Sequence, residues 1–178
     1  AHRPADVAID TVLSTSRFVV VLERVADPDN VGSVFRSAEA FGVDAVLVSP
    51  GCCDPFYRKA IRTSSGALLV VPCAAAAPWP DALDRLRASG FVIAALTPDV
   101  SATDIGMFVG TAHACGRLAV VLGTEGHGLT AEALARSDVQ LRIPMTGAID
   151  SLNIATAAGI ALHRLHEARR RTSTGHRP

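Results

Sequence analysis

The chain has 178 residues, 49% of them apolar, 19% charged and 4% aromatic, and its 17 basic side chains balance 17 acidic ones to a formal net charge of zero. That length suits one domain burying roughly two-thirds of its unfolded surface, and the composition excludes a disordered chain. No apolar run reaches the ~18 residues that span a bilayer, and zero net charge excludes a surface coated in cations without excluding a local basic patch.

Residues 1–10 lack a basic start followed by an apolar stretch, so no signal peptide is expected there. The residues up to about Ser16 and from about Thr172 onward are expected to be loosely packed ends around a single-domain core over about 17–168. A β-branched run at 18–22 predicts the first buried strand. Val31, Val34, Phe35, Ala38 and Phe41 then recur at helical spacing behind Asn30, read as an N-cap. Further strands are predicted at 45–48 and 68–71, followed by a small Ala/Pro connector at 74–80. A helix over 79–88 has Asp81 in its first turn and Gly90 just past its end. Strands at 91–96, 118–122 and 139–143 follow, with a short helix at 130–136. The long last helix carries the stripe Leu152, Ala155, Ala158, Gly159, Leu162 and Leu165, capped by Ser151. This alternation predicts an α/β domain with a mostly parallel sheet flanked by helices. A core of Ala, Val, Leu and Ile suits a sheet buried on both faces. Cys52 and Cys53 are adjacent, and Cys73 and Cys115 are isolated, so no metal spacing appears. All four are read as reduced thiols of a cytoplasmic protein.

Ligands of open α/β sheets bind beyond the carboxyl ends of the strands, and three segments lie there. The first runs from Asp27 to Ala38. On its helix Arg36 points away from the local core, where a guanidinium can hold a phosphate or a reacting hydroxyl. Taken alone, Asn30 is equally an ordinary cap and Arg36 an ordinary surface arginine. The second, Gly123 to Gly128, is glycine-rich but has G-x-x-G-x-G spacing, not that of a dinucleotide loop. Its Glu125 would repel a pyrophosphate and suits a ligand bearing hydroxyls, an amino group or a sulfonium. His127 reads as a turn residue. The third, Ile143 to Asn153, places Asn153 in the first turn of the last helix, an unusual position for a poor helix former. Arg58, Lys59 and Arg62 form one basic cluster; Arg164, Arg169, Arg170, Arg171 and Arg177 form another, which is either a solvated helix end or an RNA contact.

Together these segments resemble the SpoU (TrmH-like) family of SPOUT RNA methyltransferases. The N-x-G-x-x-x-R-x-A pattern falls on Asn30, Gly32, Arg36 and Ala38. The G-x-E-G-x-G pattern falls on Gly123, Glu125, Gly126 and Gly128. Ile143, Pro144 and Met145 carry I-P-M, and Ser151, Leu152 and Asn153 carry S-L-N. The resemblance covers roughly 17–168. It implies a deep C-terminal trefoil knot, a homodimer with active sites at the interface, and RNA 2′-O-ribose methylation of tRNA or rRNA with S-adenosylmethionine and no metal. The cofactor is then expected on Leu96, Thr97, Pro98, Gly123, Gly128, Ile143 and Leu152, with Arg36, Asn30, Glu125, Ser151 and Asn153 as catalytic residues. Arg36 is expected near the cofactor of the partner subunit, and Arg58, Lys59 and Arg62 on the RNA. Many relatives carry an RNA-binding domain or helices before the first motif, so the chain is expected to be either a minimal catalytic domain or one that an upstream module precedes. Methylation of a base, and a non-catalytic RNA-binding module of the same fold, are the competing readings.

Overall fold

The computed structural model describes residues 7–147 and 149–174; Arg177 lies outside them. The strands are β1 (Phe18–Glu23), β2 (Ala45–Val48), β3 (Cys73–Ala75), β4 (Val92–Leu96), β5 (Thr103–Asp104), β6 (Leu118–Gly123) and β7 (Val139–Arg142). They form one sheet in the order β3-β2-β1-β6-β4-β7-β5, and every pairing is parallel. The helices are α1 (Ile9–Thr15), α2 (Pro28–Ala40), α3 (Arg58–Thr63), α4 (Asp81–Ala88), α5 (Ile105–Phe108), α6 (Ala112–Cys115), α7 (Ala131–Ala135) and α8 (Ile154–Thr174).

Every residue of β1 is buried, which explains its unbroken apolar run: successive side chains point to opposite, equally covered faces. Phe18, Val20 and Leu22 pack in one cluster with Val34 and Phe35 of α2 and Leu162 and Leu165 of α8. Val19 and Val21 join a second cluster with Val12 of α1 and Leu83 and Leu86 of α4. Full burial of each such side chain contributes about 1.5–3 kcal/mol, opposed by the entropy of ordering it.

Several expectations are corrected. No strand forms at 68–71. Gly66, at φ +93°, leads instead into a 3-10 turn over Ala67–Leu69. Leu69 and Val70 are 61% and 68% exposed, and the strand follows at Cys73–Ala75, overlapping the start of the expected connector. Helix α2 starts at Pro28 with Asp27 as its cap, because the Asp27 carboxylate accepts from the Asp29 amide at 3.0 Å. Asn30 therefore lies inside the first turn. The cap of α8 is Asn153, two residues beyond Ser151: its Oδ1 accepts from the Ala155 amide at 2.9 Å and the Thr156 amide at 3.3 Å.

Residues 7–16 are also better packed than expected, whereas residues 1–6 lie outside the described residues. Val12 is buried, and Arg117 donates to the Leu13 carbonyl, to Ser16 O at 3.0 Å and to Ser89 O at 2.8 Å. Its guanidinium covers the Phe91 ring at 4.3 Å. At the other end, Arg169 is not part of a solvated basic tail. It donates to the Ala114 and Gly116 carbonyls at 3.0 and 2.8 Å and lies over the Phe18 ring at 4.9 Å. Burial pulls its guanidinium below its ordinary range. Thr172 sits 3.0 Å from Cys115 Sγ. Ala158, Leu162 and Leu165 of the α8 stripe are core.

Candidate active site

Strands β1 and β6 end side by side, Glu23 in register with Gly123. The loops that follow β4, β6 and β7 enclose a cavity of about 310 Å3 at this carboxyl end of the sheet. Its wall includes Leu96, Thr97 and Pro98 after β4, Gly123 to Leu129 after β6, and Ile143, Met145, Ser151 and Leu152 after β7. All seven residues expected on a cofactor line it.

The glycine-rich loop owes its shape to backbone proximity. A Cβ on Gly123 would stand 2.3 Å from the Gly128 carbonyl carbon and 2.4 Å from the Leu129 amide nitrogen, far inside contact distance. The loop therefore folds back over the end of β6, closed by the Gly128 amide donating to Thr124 O at 2.9 Å. Gly126 and Gly128 turn it at φ +83° and +66°, where a side chain is strained. Glu125 and His127 are exposed at the cavity mouth.

Asn153 joins the three motif segments. Its Nδ2 donates to Asn30 Oδ1 at 3.0 Å and to Glu125 Oε1, while its Oδ1 caps α8. Asn30 is a buried polar side chain, 5% exposed, and its acceptor is satisfied by this bond. Its position inside α2 thus has a reason that a cap would not supply. Ser151 is exposed on the cavity wall and caps nothing. Arg36 is exposed farther along α2, has no hydrogen-bond or ion-pair partner among the described residues, and is not part of the cavity wall of its own chain.

Arg58, Lys59 and Arg62 are exposed on α3. Lys59 is committed to Asp29 at 2.8 Å, and Thr63 donates to the same carboxylate at 3.0 Å. Hydrogen bonding from Lys59 and Thr63 holds the Asp29 carboxyl below its ordinary value, and the bond to Asp29 raises the Lys59 ammonium. This contact ties α3 to the start of α2. Gly32 does the same by close approach: a Cβ there would meet Ala60 O at 2.5 Å.

Glu23 is a residue that sequence reasoning missed. Its carboxylate is 0% exposed and accepts from Trp79 Nε1, Thr130 N and Thr130 Oγ1 at 2.8, 2.8 and 2.7 Å. A charged residue closing a run of five apolar residues was the available signal. Among the described residues the four cysteines form no disulfide, and burial pushes the Cys52 and Cys53 thiols up, away from a reactive thiolate. Among the described residues no group of three or more His, Cys, Asp or Glu could hold a metal, and no helix is long and apolar enough to cross a membrane.

Residues 17–163 match the SpoU rRNA Methylase family. The chain belongs to that family. Among its SpoU relatives is an uncharacterized tRNA/rRNA methyltransferase of Mycobacterium tuberculosis, 45% identical over 99% of this chain and 59% of the relative. The 23S rRNA (guanosine(2553)-2′-O)-methyltransferase RlmP of Bacillus subtilis is 32% identical over 86% of this chain and 59% of its own length. The chain thus spans somewhat over half the length of these relatives. The SpoU methyltransferase AviRb of Streptomyces viridochromogenes, solved in complex with the cofactor AdoMet, superposes with a TM-score of 0.79 at 29% identity, covering 96% of this chain and 66% of that one.

Proposed function

We propose that this domain transfers a methyl group from S-adenosylmethionine to a ribose 2′-hydroxyl of tRNA or rRNA. The observation that carries the reading is the Asn153 amide, which ties Asn30 of the first motif and Glu125 of the second to the start of α8 beside the cavity. A purely structural helix cap would need only the Oδ1 bonds.

The cavity suits the cofactor on its own terms. Its volume lies at the lower end of the range for small-molecule sites. Leu96, Leu122, Leu129 and Ile143 offer apolar walls, and Thr97, Thr124, Glu125 and Ser151 offer polar groups. The folded glycine loop lets the backbone approach closely. The bound cofactor would supply a methyl on a positively charged sulfur, a strong electrophile. The chain must then align the hydroxyl and accommodate the charge that develops as its proton leaves. Arg36 is assigned to orienting the 2′-oxygen and stabilising that charge. A guanidinium is a poor proton acceptor because its neutral form is costly, so the proton passes to phosphate or water.

Arg36 stands outside the cavity of its own chain, which supports a homodimer in which it reaches the partner's cofactor site. Arg58 and Arg62 are assigned to RNA phosphates, whereas Lys59 first has to leave Asp29. Reduced thiols fit a cytoplasmic setting, and RNA recognition is expected to draw on segments beyond this domain as well.

The test is incubation of total RNA with methyl-labelled cofactor, followed by digestion to nucleosides and mapping. Label on the 2′-oxygen is expected. Label on a base with a free 2′-hydroxyl would overturn the ribose assignment. Absence of both cofactor binding and label would favour a non-catalytic RNA-binding module.

A further inference from the structure

We infer that Glu23 is a positioning residue for the cofactor loop: its buried carboxylate anchors the returning leg of the glycine loop, through Thr130, to the end of β1. The inference rests on the cofactor reading above and assigns work to a group outside the three motifs.

A carboxylate with no exposure carries a large desolvation cost unless it is well hydrogen-bonded. Glu23 meets that condition without a cation. Oε1 accepts from Trp79 Nε1 and Thr130 Oγ1, and Oε2 from the Thr130 amide. Every bond comes from outside β1, so the carboxylate joins separate segments. Thr130 immediately follows Leu129, which lines the cavity, and it opens α7, where its Oγ1 accepts from the Ala133 amide at 3.2 Å. The loop therefore leaves β6 at Gly123 and returns at Thr130, held over the neighbouring strand end at Glu23. Gly123 sets how close the two legs come. Glu23 sets where the second leg is fastened.

Trp79 provides a control, because it bonds the same carboxylate but lies in the β3–α4 connection. Loosening the loop should affect cofactor affinity and leave RNA contacts on α3 alone. Loosening the connector should change neither the cofactor affinity nor the RNA contacts.

The experiment measures S-adenosylmethionine affinity by calorimetry and, separately, binding of unfractionated bacterial rRNA without cofactor, on folded protein. Glu23→Gln keeps the shape but sets an amide against donors. It is expected to raise the cofactor Kd about tenfold, as loss of a hydrogen bond to a charged group does, with rRNA affinity within about twofold of wild type. Thr130→Ala should behave alike, Thr130→Ser should recover wild-type affinity, and Trp79→Phe should stay near wild type. The inference is overturned if Glu23→Gln binds cofactor as wild type does, or if both affinities fall together. Should Glu23→Gln fail to fold, equal cofactor affinity of Thr130→Ala and Thr130→Ser overturns it. A wild-type protein that binds no S-adenosylmethionine would remove the cofactor reading itself, whereas wild-type binding with unmoved variants removes only the role of Glu23.

Discussion

Asn153 serves two purposes through the two ends of one amide, and they can be separated. The oxygen caps α8; the nitrogen holds Asn30 and Glu125. Serine is an equally good cap but too short to reach both partners. Asn153→Ser should therefore keep the cap and lose only the roughly 1–3 kcal/mol of a buried Asn30 acceptor left without its donor, while kcat falls at least about tenfold through lost alignment. Asn153→Ala should also lose about 1 kcal/mol of stability, read from denaturant midpoints. Equal activity of Asn153→Ser and wild type would reduce Asn153 to a cap. The motif residues were legible in the sequence because their chemistry is atypical for their place, an Asn in a helix start and a Glu among glycines. The bond that joins them was not, because Asn30 and Asn153 stand 123 positions apart and only the fold brings them together. Glu23 was illegible for the same reason: Thr130, its main partner, lies 107 positions away.

Strand and helix boundaries were readable where burial on both faces enforces unbroken β-branched runs, as in β1, β2 and β6. They failed at the periphery. β5 has two residues and β3 reads Cys-Ala-Ala, too short or too small to stand out. At 68–71 the apolar residues obey a local turn after Gly66, and two of them face solvent. The α2–α3 pair shows how an element can be placed by one missing side chain. Gly32→Ala would ordinarily stabilise a helix by up to about 1 kcal/mol. Here the added methyl meets Ala60 O at 2.5 Å and Thr63 Cβ at 2.9 Å, so the expected sign reverses to a loss of about 1–3 kcal/mol. The same variant should weaken rRNA binding, because Arg58 and Arg62 move with α3. A stabilised Gly32→Ala protein would mean that α3 yields freely.

For the whole molecule, the proposed dimer makes a prediction independent of any size measurement. If Arg36 serves the partner's cavity, Arg36→Ala and Asn153→Ala chains carry defects that belong to different sites in a mixed dimer. One site then collects both defects and the other neither. Refolding the two inactive variants together at equal amounts should restore about a quarter of wild-type activity, since about half of randomly formed dimers are mixed and each has one intact site. Recovery no greater than the sum of the separate variants would place Arg36 in its own chain's site.

The central pairing of the sheet has a consequence for synthesis. β1 leaves the ribosome well before its β6 neighbour, which is aligned from Phe18↔Leu118 to Glu23↔Gly123 and emerges about 100 residues later, several seconds at ordinary elongation rates. During that interval a strand that is apolar from Phe18 to Leu22 has one side closed by β2 and the other exposed, the kind of edge that recruits foreign strands. Nascent chains of this protein are therefore most vulnerable to aggregation in mid-translation, and shielding by a chaperone matters most before β6 arrives.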